Sequence, residues 1–323
     1  MALLLLTTLT VYAQAGKAKF TAIIKNSKSD SLVIERTNFK QVVKASKPGK
    51  FNATLIIPDK HIFGCKFDGE IFDIYLQDGF DIDMMADADN FYKTLTFTGK
   101  GAKENNFLLL RRNSFSDMYT SLKNVTTIQQ ANVIMNGYVN KLKTAMDDKE
   151  IDWNFRFIMV DWVNDDIKQA TAMSNQYIEF SKMKGQPSPS FSFENYKGGT
   201  TTLEDFKGKY VYITIWASYC KQCCKYLPDV KTLEDKYKGK NIAFVNISYD
   251  RWAEHWKKYL NDGNFGGTHL HKDSKEEGPF GAFYKVDNIP RFILIDPQGN
   301  VIDGNAATPD EPELQAKLDT LLK

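Results

Sequence analysis

Between Gly16 and Lys100 apolar and polar side chains alternate at every second position. Phe51, Ala53, Leu55 and Ile57 share one parity, against Asn52, Thr54 and Ile56 at the other. Phe72, Ile74 and Leu76 repeat the pattern against Asp73 and Tyr75. A period of two turns one face of each strand toward a core. Asp68-Gly69 and Asp78-Gly79 stand between such runs, and a pair of this kind accepts the positive φ of a two-residue hairpin turn. The pattern predicts an antiparallel all-β domain over residues 16–110, built as a sandwich or an open barrel. Cys65 shares the parity of His61, Phe63 and Phe67. It reads as a small buried hydrophobe, with a reactive or pairing thiol as the alternative. His61 has no metal partners at useful spacing and reads as structural.

Past Gly99–Gly101 the period lengthens. Ile128, Ala131, Met135, Tyr138 and Leu142 fall three and four apart, as one face of a helix does. Phe155, Met159 and Trp162 continue the spacing, and Met173, Tyr177 and Phe180 extend it beyond a polar break at Asp147–Asp152. A helical region over 111–185 follows. Its methionine and aromatic stripe reads as core packing rather than as a cofactor box. Asp161, Asp165 and Asp166 read as a solvated face rather than a metal site. Gly185-Gln186-Pro187-Ser188-Pro189-Ser190 is a linker composition, because its prolines remove donors and stop a helix.

Over 186–323 apolar strands alternate with helical patterns: Phe191–Phe193, Tyr210–Trp216, Ile242–Ser248, residues 268–271, Arg291–Asp296 and Val301–Asp303 against helices near Cys220, Trp256, residues 278–286 and Leu314–Leu322. This is an α/β sheet with helices on both faces. Its centre is Val211–Pro228, VYITIWASYCKQCCKYLP. A β-branched strand delivers Cys220 and Cys223 to the start of a helix. Unpaired N–H groups and a partial positive charge there favour thiolate over thiol.

Composition narrows the reading. The chain has 323 residues, room for two or three domains, and a net charge of +2, which argues against nucleic acid or an anionic membrane as the main partner. It has four cysteines, three of them within Cys220–Cys224, a distribution that suits chemistry better than a disulfide scaffold. Leu3–Val11 is apolar but too short to span a bilayer, and Ala13-Gln14-Ala15 is a small-x-small cleavage pattern. Residues 1–15 therefore read as a signal peptide, with a buried N-terminal strand as the alternative, although no Lys or Arg precedes the apolar run. No later segment is apolar for long enough to cross a membrane. A periplasmic location follows, an oxidising compartment in which a reduced cysteine pair needs a supply of electrons.

The segments GQPSPSFSF, TLEDFKGKYVYITIWASYC, the Cys-Lys-Gln-Cys pair with Pro228, and NIPRFILIDPQGNV together resemble the TlpA/ResA-like thioredoxin-fold disulfide reductases. The resemblance covers roughly residues 186–323, and the upstream arrangement looks like that of secreted Bacteroidetes-type members. It implies that Cys220 is the attacking thiol and Cys223 the resolving one. It implies that Pro290 is a cis-proline facing the pair, that Ile289 offers its backbone to an extended substrate, and that Trp216 and Tyr219 flank the thiol. The partners implied are protein disulfide substrates and an upstream thiol electron donor; no cofactor and no metal is implied. Three departures stand out. Thr214 occupies a position where many thioredoxins keep a buried acid, and Tyr226 one where ResA-type members often carry Glu, so the proton acceptor for Cys223 is unassigned. Cys224 is an additional thiol, rotated away from the pair on the helix, and reads as a spectator. Lys221-Gln222 lacks the proline common between such cysteines, which leaves the redox potential and the direction of reaction open.

The competing reading is a non-catalytic binding or scaffold protein, whose N-terminal regions recognise a partner and whose thioredoxin module is a redox sensor. A third is metal handling by Cys220 and Cys223 with His269 or His271, though no ligand spacing ties the histidines to the cysteines.

Overall fold

The computed structural model describes residues 15–263, 265–272 and 278–323. The expected signal peptide, apart from Ala15, lies outside the described residues. The chain forms two compact units. One comprises the chain up to Lys123 together with Gln129–Ala172; the other comprises Asn124–Ile128 and Met173–Lys323.

The first unit opens with seven strands: β1 (Gly16–Lys25), β2 (Ser31–Arg36), β3 (Phe39–Lys47), β4 (Lys50–Ile57), β5 (His61–Phe67), β6 (Glu70–Leu76) and β7 (Asp81–Asp87). A single-turn helix α1 (Phe91–Thr94) and β8 (Thr96–Lys100) follow, then α2 (Ala102–Leu122), α3 (Ile128–Met146) and α4 (Trp153–Met183), whose residues from Met173 onward belong to the second unit. The strands form one sheet in the order β6-β5-β2-β3-β4-β1-β7-β8. Its pairs are antiparallel except β1 with β7, which is parallel.

The alternation places Phe51, Leu55 and Ile57 inside, as expected, with Phe72 and Ile74 on β6. Phe51 meets Phe67 at 5.9 Å although two strands separate β4 from β5, and Phe67 and Phe72 both reach Phe91. The sheet therefore curls around an aromatic interior as an open barrel. Its two edge strands end on one helix. The side chain of Asn105 on α2 accepts from Tyr75 N–H (2.8 Å) and donates to Tyr75 C=O (3.0 Å) on β6. Its neighbour Asn106 does the same with Phe97 on β8, at 3.1 and 2.8 Å. Two consecutive amides thus satisfy backbone groups on both open edges, which would otherwise be templates for foreign strands.

Several local expectations shift. Asp68-Gly69 is a hairpin turn, with both residues at positive φ. Asp78-Gly79 is not: β6 does not pair with β7, and Gly79 N–H instead bonds the Lys17 carbonyl at 2.8 Å, where the chain crosses to run parallel to β1. Gly49 is required at its turn, since a Cβ there would lie 2.1 Å from the Ile24 carbonyl oxygen. Tyr75, expected on the polar face, is fully buried; its ring packs on Phe155 and its hydroxyl donates to Asp152 at 2.9 Å. Helix begins at Ala102, ahead of the expected 111.

On α3, Ala131, Met135, Tyr138 and Leu142 are buried but Ile128 is 62% exposed. Asp166 does not belong to a solvated face. It is buried, with Arg111 donating two hydrogen bonds to its oxygens (2.8 and 2.5 Å) and the Tyr138 hydroxyl a third. Burial and the Asp166 charge push the Tyr138 phenol well above its ordinary value. Cys65 is buried and unpaired, and burial raises its thiol well above the ordinary range.

The second unit contains β9 (Ser192–Asn195), β10 (Thr200–Thr202), β11 (Tyr210–Trp216), α5 (Lys221–Lys236), β12 (Ile242–Ser248), α6 (Ala253–Asn261), β13 (Thr268–His271), α7 (Gly278–Tyr284), β14 (Arg291–Ile295), β15 (Val301–Asp303) and α8 (Pro312–Leu321). The sheet order is β10-β9-β13-β12-β11-β14-β15, with β11, β12 and β13 parallel. Strand parity sorts the two faces. Val211, Ile213, Ile215, Val245, Ile247 and Ile293 pack with Phe280 and Tyr284 of α7 and with Phe180 and Met183 of α4. Tyr212, Phe244, Phe292 and Leu294 pack with Val230 and Leu233 of α5 and Leu314 and Leu318 of α8. The segment expected as a linker is tied to this sheet: Gly185 N–H bonds the Val301 carbonyl (2.8 Å), Val301 N–H the Gln186 carbonyl (2.9 Å) and Ser188 N–H the Gly299 carbonyl (2.9 Å).

Candidate active site

The site stands at the C-terminal end of β11, beside the parallel strand β12 on one side and the antiparallel β14 on the other. The strand ends at Trp216 and a turn follows, closed by Cys220 N–H on the Ala217 carbonyl at 3.0 Å. Cys220 is the N-cap of α5, and its sulfur accepts from Cys223 N–H at 3.1 Å. Cys220 is half-buried and Cys223 has no exposed surface; the two sulfurs are joined in a disulfide. Cys223 packs with Trp216 and Leu227, and with Trp256 and Leu260 of α6. Pro228 lies inside α5, where it deletes one backbone donor of the helix.

The Ile289–Pro290 bond is cis. It brings the Ile289 carbonyl oxygen to 3.9 Å from Cys220 Sγ. Ile289 and Pro290 are both half-buried. Tyr219 is 71% exposed immediately before Cys220, and Lys221 is exposed immediately after it. Thus Tyr219, Cys220 and Ile289 lie at the surface of the site, with Cys223 buried under Cys220. Trp216 is not part of that surface. It is 0% exposed, because its parity on β11 turns the indole toward α5 and α6, where it lies 5.3 Å from the Tyr259 ring. It packs in one cluster with Cys223.

Cys224 is half-buried, with its thiol 3.6 Å from the Ser218 carbonyl. Burial, together with Cys224 itself, pushes the Tyr259 phenol up to about 12. Tyr226 packs edge-on against Phe292 and accepts from Gln222, so it supplies no carboxylate. Behind the pair, Thr214, Asn246 and His269 are Cα partners across β11, β12 and β13. All three are buried, and Thr214 Oγ1, Asn246 Oδ1 and both His269 ring nitrogens lack a well-formed hydrogen bond. Burial lowers His269 to about 4, only partly offset by the Gly266 and Phe265 carbonyls. The imidazole is therefore neutral at neutral pH. His271 lies one pleat further on, stacked on Trp256, with Nε2 donating to the Asp250 carbonyl at 2.9 Å. The two histidines are thus core groups of the sheet, and among the described residues no cluster of His, Cys, Asp and Glu is placed to hold a metal ion.

One residue of the site went unnoticed in the sequence. Asp250, fully buried just past β12, accepts from Ser218 N–H and Oγ and from Ser248 Oγ. The available signal was its place: an acid at the carboxyl end of a parallel strand, where α/β sheets build their sites.

The chain is similar to several known proteins. A thioredoxin-like family model matches residues 208–301. The thioredoxin-like protein YneN of Bacillus subtilis is 30% identical over 155 residues, 45% of this chain and 87% of that protein. The thiol–disulfide oxidoreductase ResA of Bacillus anthracis is 30% identical over 120 residues, 37% of this chain and 67% of ResA. A solved thiol–disulfide oxidoreductase from Bacteroides fragilis is 27% identical, with 42% of this chain and all of that one covered at a TM-score of 0.38. No helix among the described residues is long and apolar enough to cross a membrane. With a Cys-x-x-Cys pair capping the first helix after the central strand of its second unit, the chain belongs to the thioredoxin-like thiol–disulfide oxidoreductases of the TlpA/ResA type.

Proposed function

We propose that this enzyme reduces disulfides in client proteins, with Cys220 as the nucleophile and Cys223 as the resolving thiol. The observation that carries the reading is the split in accessibility: Cys220 is half-exposed at a helix N-terminus and Cys223 is sealed beneath it. In the reduced enzyme the helix end favours the Cys220 thiolate. The thiolate attacks one client sulfur. An enzyme–client S–S bond forms, the client S–S bond breaks, and the departing client thiolate takes a proton. Cys223, deprotonated, then attacks Cys220 Sγ. The mixed disulfide breaks, the second client thiol leaves protonated, and the Cys220–Cys223 disulfide remains. The client gains two electrons and two protons and the enzyme loses them. An upstream dithiol donor restores the pair.

The Ile289 carbonyl beside Cys220 offers an extended client segment a backbone hydrogen-bond acceptor, and Tyr219 an exposed aromatic face. The enzyme works outside the cytoplasm, in the periplasm; the short apolar N-terminal run with its small-x-small pattern supports this. Insulin reduction followed by turbidity tests the catalytic assignment. Wild type precipitates the insulin B chain in the presence of dithiothreitol, and Cys220→Ser falls to the uncatalysed rate. A wild type no faster than dithiothreitol alone would favour the sensor reading.

A further inference from the structure

Ser218 precedes the nucleophile by two residues and carries two donors, its N–H and its hydroxyl. Both are engaged by Asp250. Its N–H lies 3.0 Å from Asp250 Oδ2, and its hydroxyl donates to Asp250 Oδ1 at 2.6 Å. Ser248 Oγ adds a third hydrogen bond, to Oδ2 at 2.7 Å, and its oxygen accepts from Asp250 N–H at 3.1 Å. The aspartate is held from behind as well, through His271 Nε2 on its carbonyl. The strands carrying these groups are joined by Tyr249 N–H on the Trp216 carbonyl (2.8 Å) and Lys272 N–H on the Ser248 carbonyl (3.0 Å). The carboxylate is wholly buried, so little water screens it. The hydrogen bond the structure gives to Cys220 Sγ is that from Cys223 N–H.

We propose that Asp250 is a positioning residue for Cys220. It locks the Trp216–Cys220 turn by engaging both Ser218 donors, and holds a buried carboxylate against that turn, two residues before the nucleophile. The inference rests on the reading of Cys220 as the attacking thiol. Its consequence concerns the direction of electron flow. Stabilising the reduced, thiolate form makes such a pair oxidising; an anion held against the turn that carries the thiolate does the reverse. Asp250 therefore biases the pair toward donating electrons, a property that Lys221-Gln222 alone leaves open.

The other titratable groups around the turn are common to every variant below. Lys221 and Tyr219 flank Cys220, Cys224 lies on the Ser218 carbonyl, and His271 lies behind the aspartate. The Lys272 ammonium sits over the Tyr249 ring at 4.9 Å, and the Arg251 guanidinium over the Trp252 ring at 5.1 Å.

The test uses the full chain as wild type, Asp250→Asn, Asp250→Glu and Ser218→Ala. Two readouts are needed: the equilibrium of the Cys220–Cys223 pair in glutathione buffers, and the pH midpoint of Cys220 alkylation by iodoacetamide. Asp250→Asn shifts the equilibrium toward the dithiol about tenfold, some 30 mV. It also lowers the alkylation midpoint by about one pH unit. Asp250→Glu, which keeps the charge, returns both readouts toward wild type. A folded Asp250→Asn with both values unchanged, or with the equilibrium moved toward the disulfide, overturns the proposal. Should Asp250→Asn not fold, Ser218→Ala decides. The bared carboxylate then raises the midpoint, and an unchanged or lower midpoint overturns the proposal. Neither readout requires a client, so failure here is distinct from failure of the disulfide-reductase reading, which wild-type insulin reduction reports separately.

Discussion

His269 makes the polar row behind the redox pair measurable. Burial holds it at about 4, against an ordinary value of 6.5. Between those two values the unfolded chain binds a proton that the native state refuses, so stability is complete above pH 6.5 and is lost as pH falls toward 4. Each unit of separation is worth about 1.4 kcal/mol, and by pH 4.5 the accumulated loss is about 2 kcal/mol. At 8% exposure the ring is shielded enough that screening by water does not erase the effect. The assay is urea unfolding at pH 7 and pH 4.5, followed by tryptophan fluorescence, on wild type and His269→Asn. Carboxylates titrating in the same window act on both proteins, so the difference between the two losses isolates the histidine. Wild type loses about 2 kcal/mol more than His269→Asn over that interval. Equal losses, or a larger loss in His269→Asn, would refute the reasoning.

Other outcomes follow from single contacts. Asp166→Ala strands the Arg111 guanidinium in a largely buried position and destabilises the N-terminal unit by about 3 kcal/mol in urea unfolding. Asn105→Ala leaves the backbone N–H and C=O of Tyr75 without their side-chain partner and costs about 2 kcal/mol or more in the same assay, whereas Asn106→Ala costs less, because Asn106 is exposed and water can replace it at Phe97. Cys224→Ser keeps insulin reduction within about twofold of wild type, because its thiol points at the Ser218 carbonyl rather than into the exchange path. Cys65 resists iodoacetamide at pH 8 in the native chain and labels on unfolding; rapid native labelling would contradict its burial and its raised thiol.

What could be read in the sequence was local. The inner strands β11, β12 and β14 of the second unit are buried along most of their length, so each appears as a largely apolar run, and Tyr210–Trp216 and Ile242–Ser248 fall where that run predicts. The two cysteines and the helix they cap were legible because their chemistry constrains spacing, whereas the prolyl position at Pro290 came only through the resemblance carried by NIPRFILIDPQGNV. What escaped depends on partners far along the chain. Asp78-Gly79 looked like a hairpin because nothing nearby reveals that β7 pairs with β1. Tyr75 looked solvent-facing because Asn105 and Phe155, which cover it, come later in the chain. Asp166 looked solvated because its partner Arg111 lies 55 residues away. The resemblance implied that Trp216 flanks the thiol, and strand parity buries its indole in the core beside Cys223. The Ser218–Asp250 contact spans 32 residues and joins two loops, neither of which carries a periodic signal.

The central claim is that the half-exposed sulfur of Cys220 attacks and the buried sulfur of Cys223 releases. Cys223→Ser removes the release step and keeps the attack. Incubated with reduced enzyme, insulin should accumulate as a covalent adduct that dithiothreitol dissolves, and peptide mass spectrometry should place the bond on Cys220. No adduct, or an adduct carried by Cys224 with Cys220 free, would contradict the account.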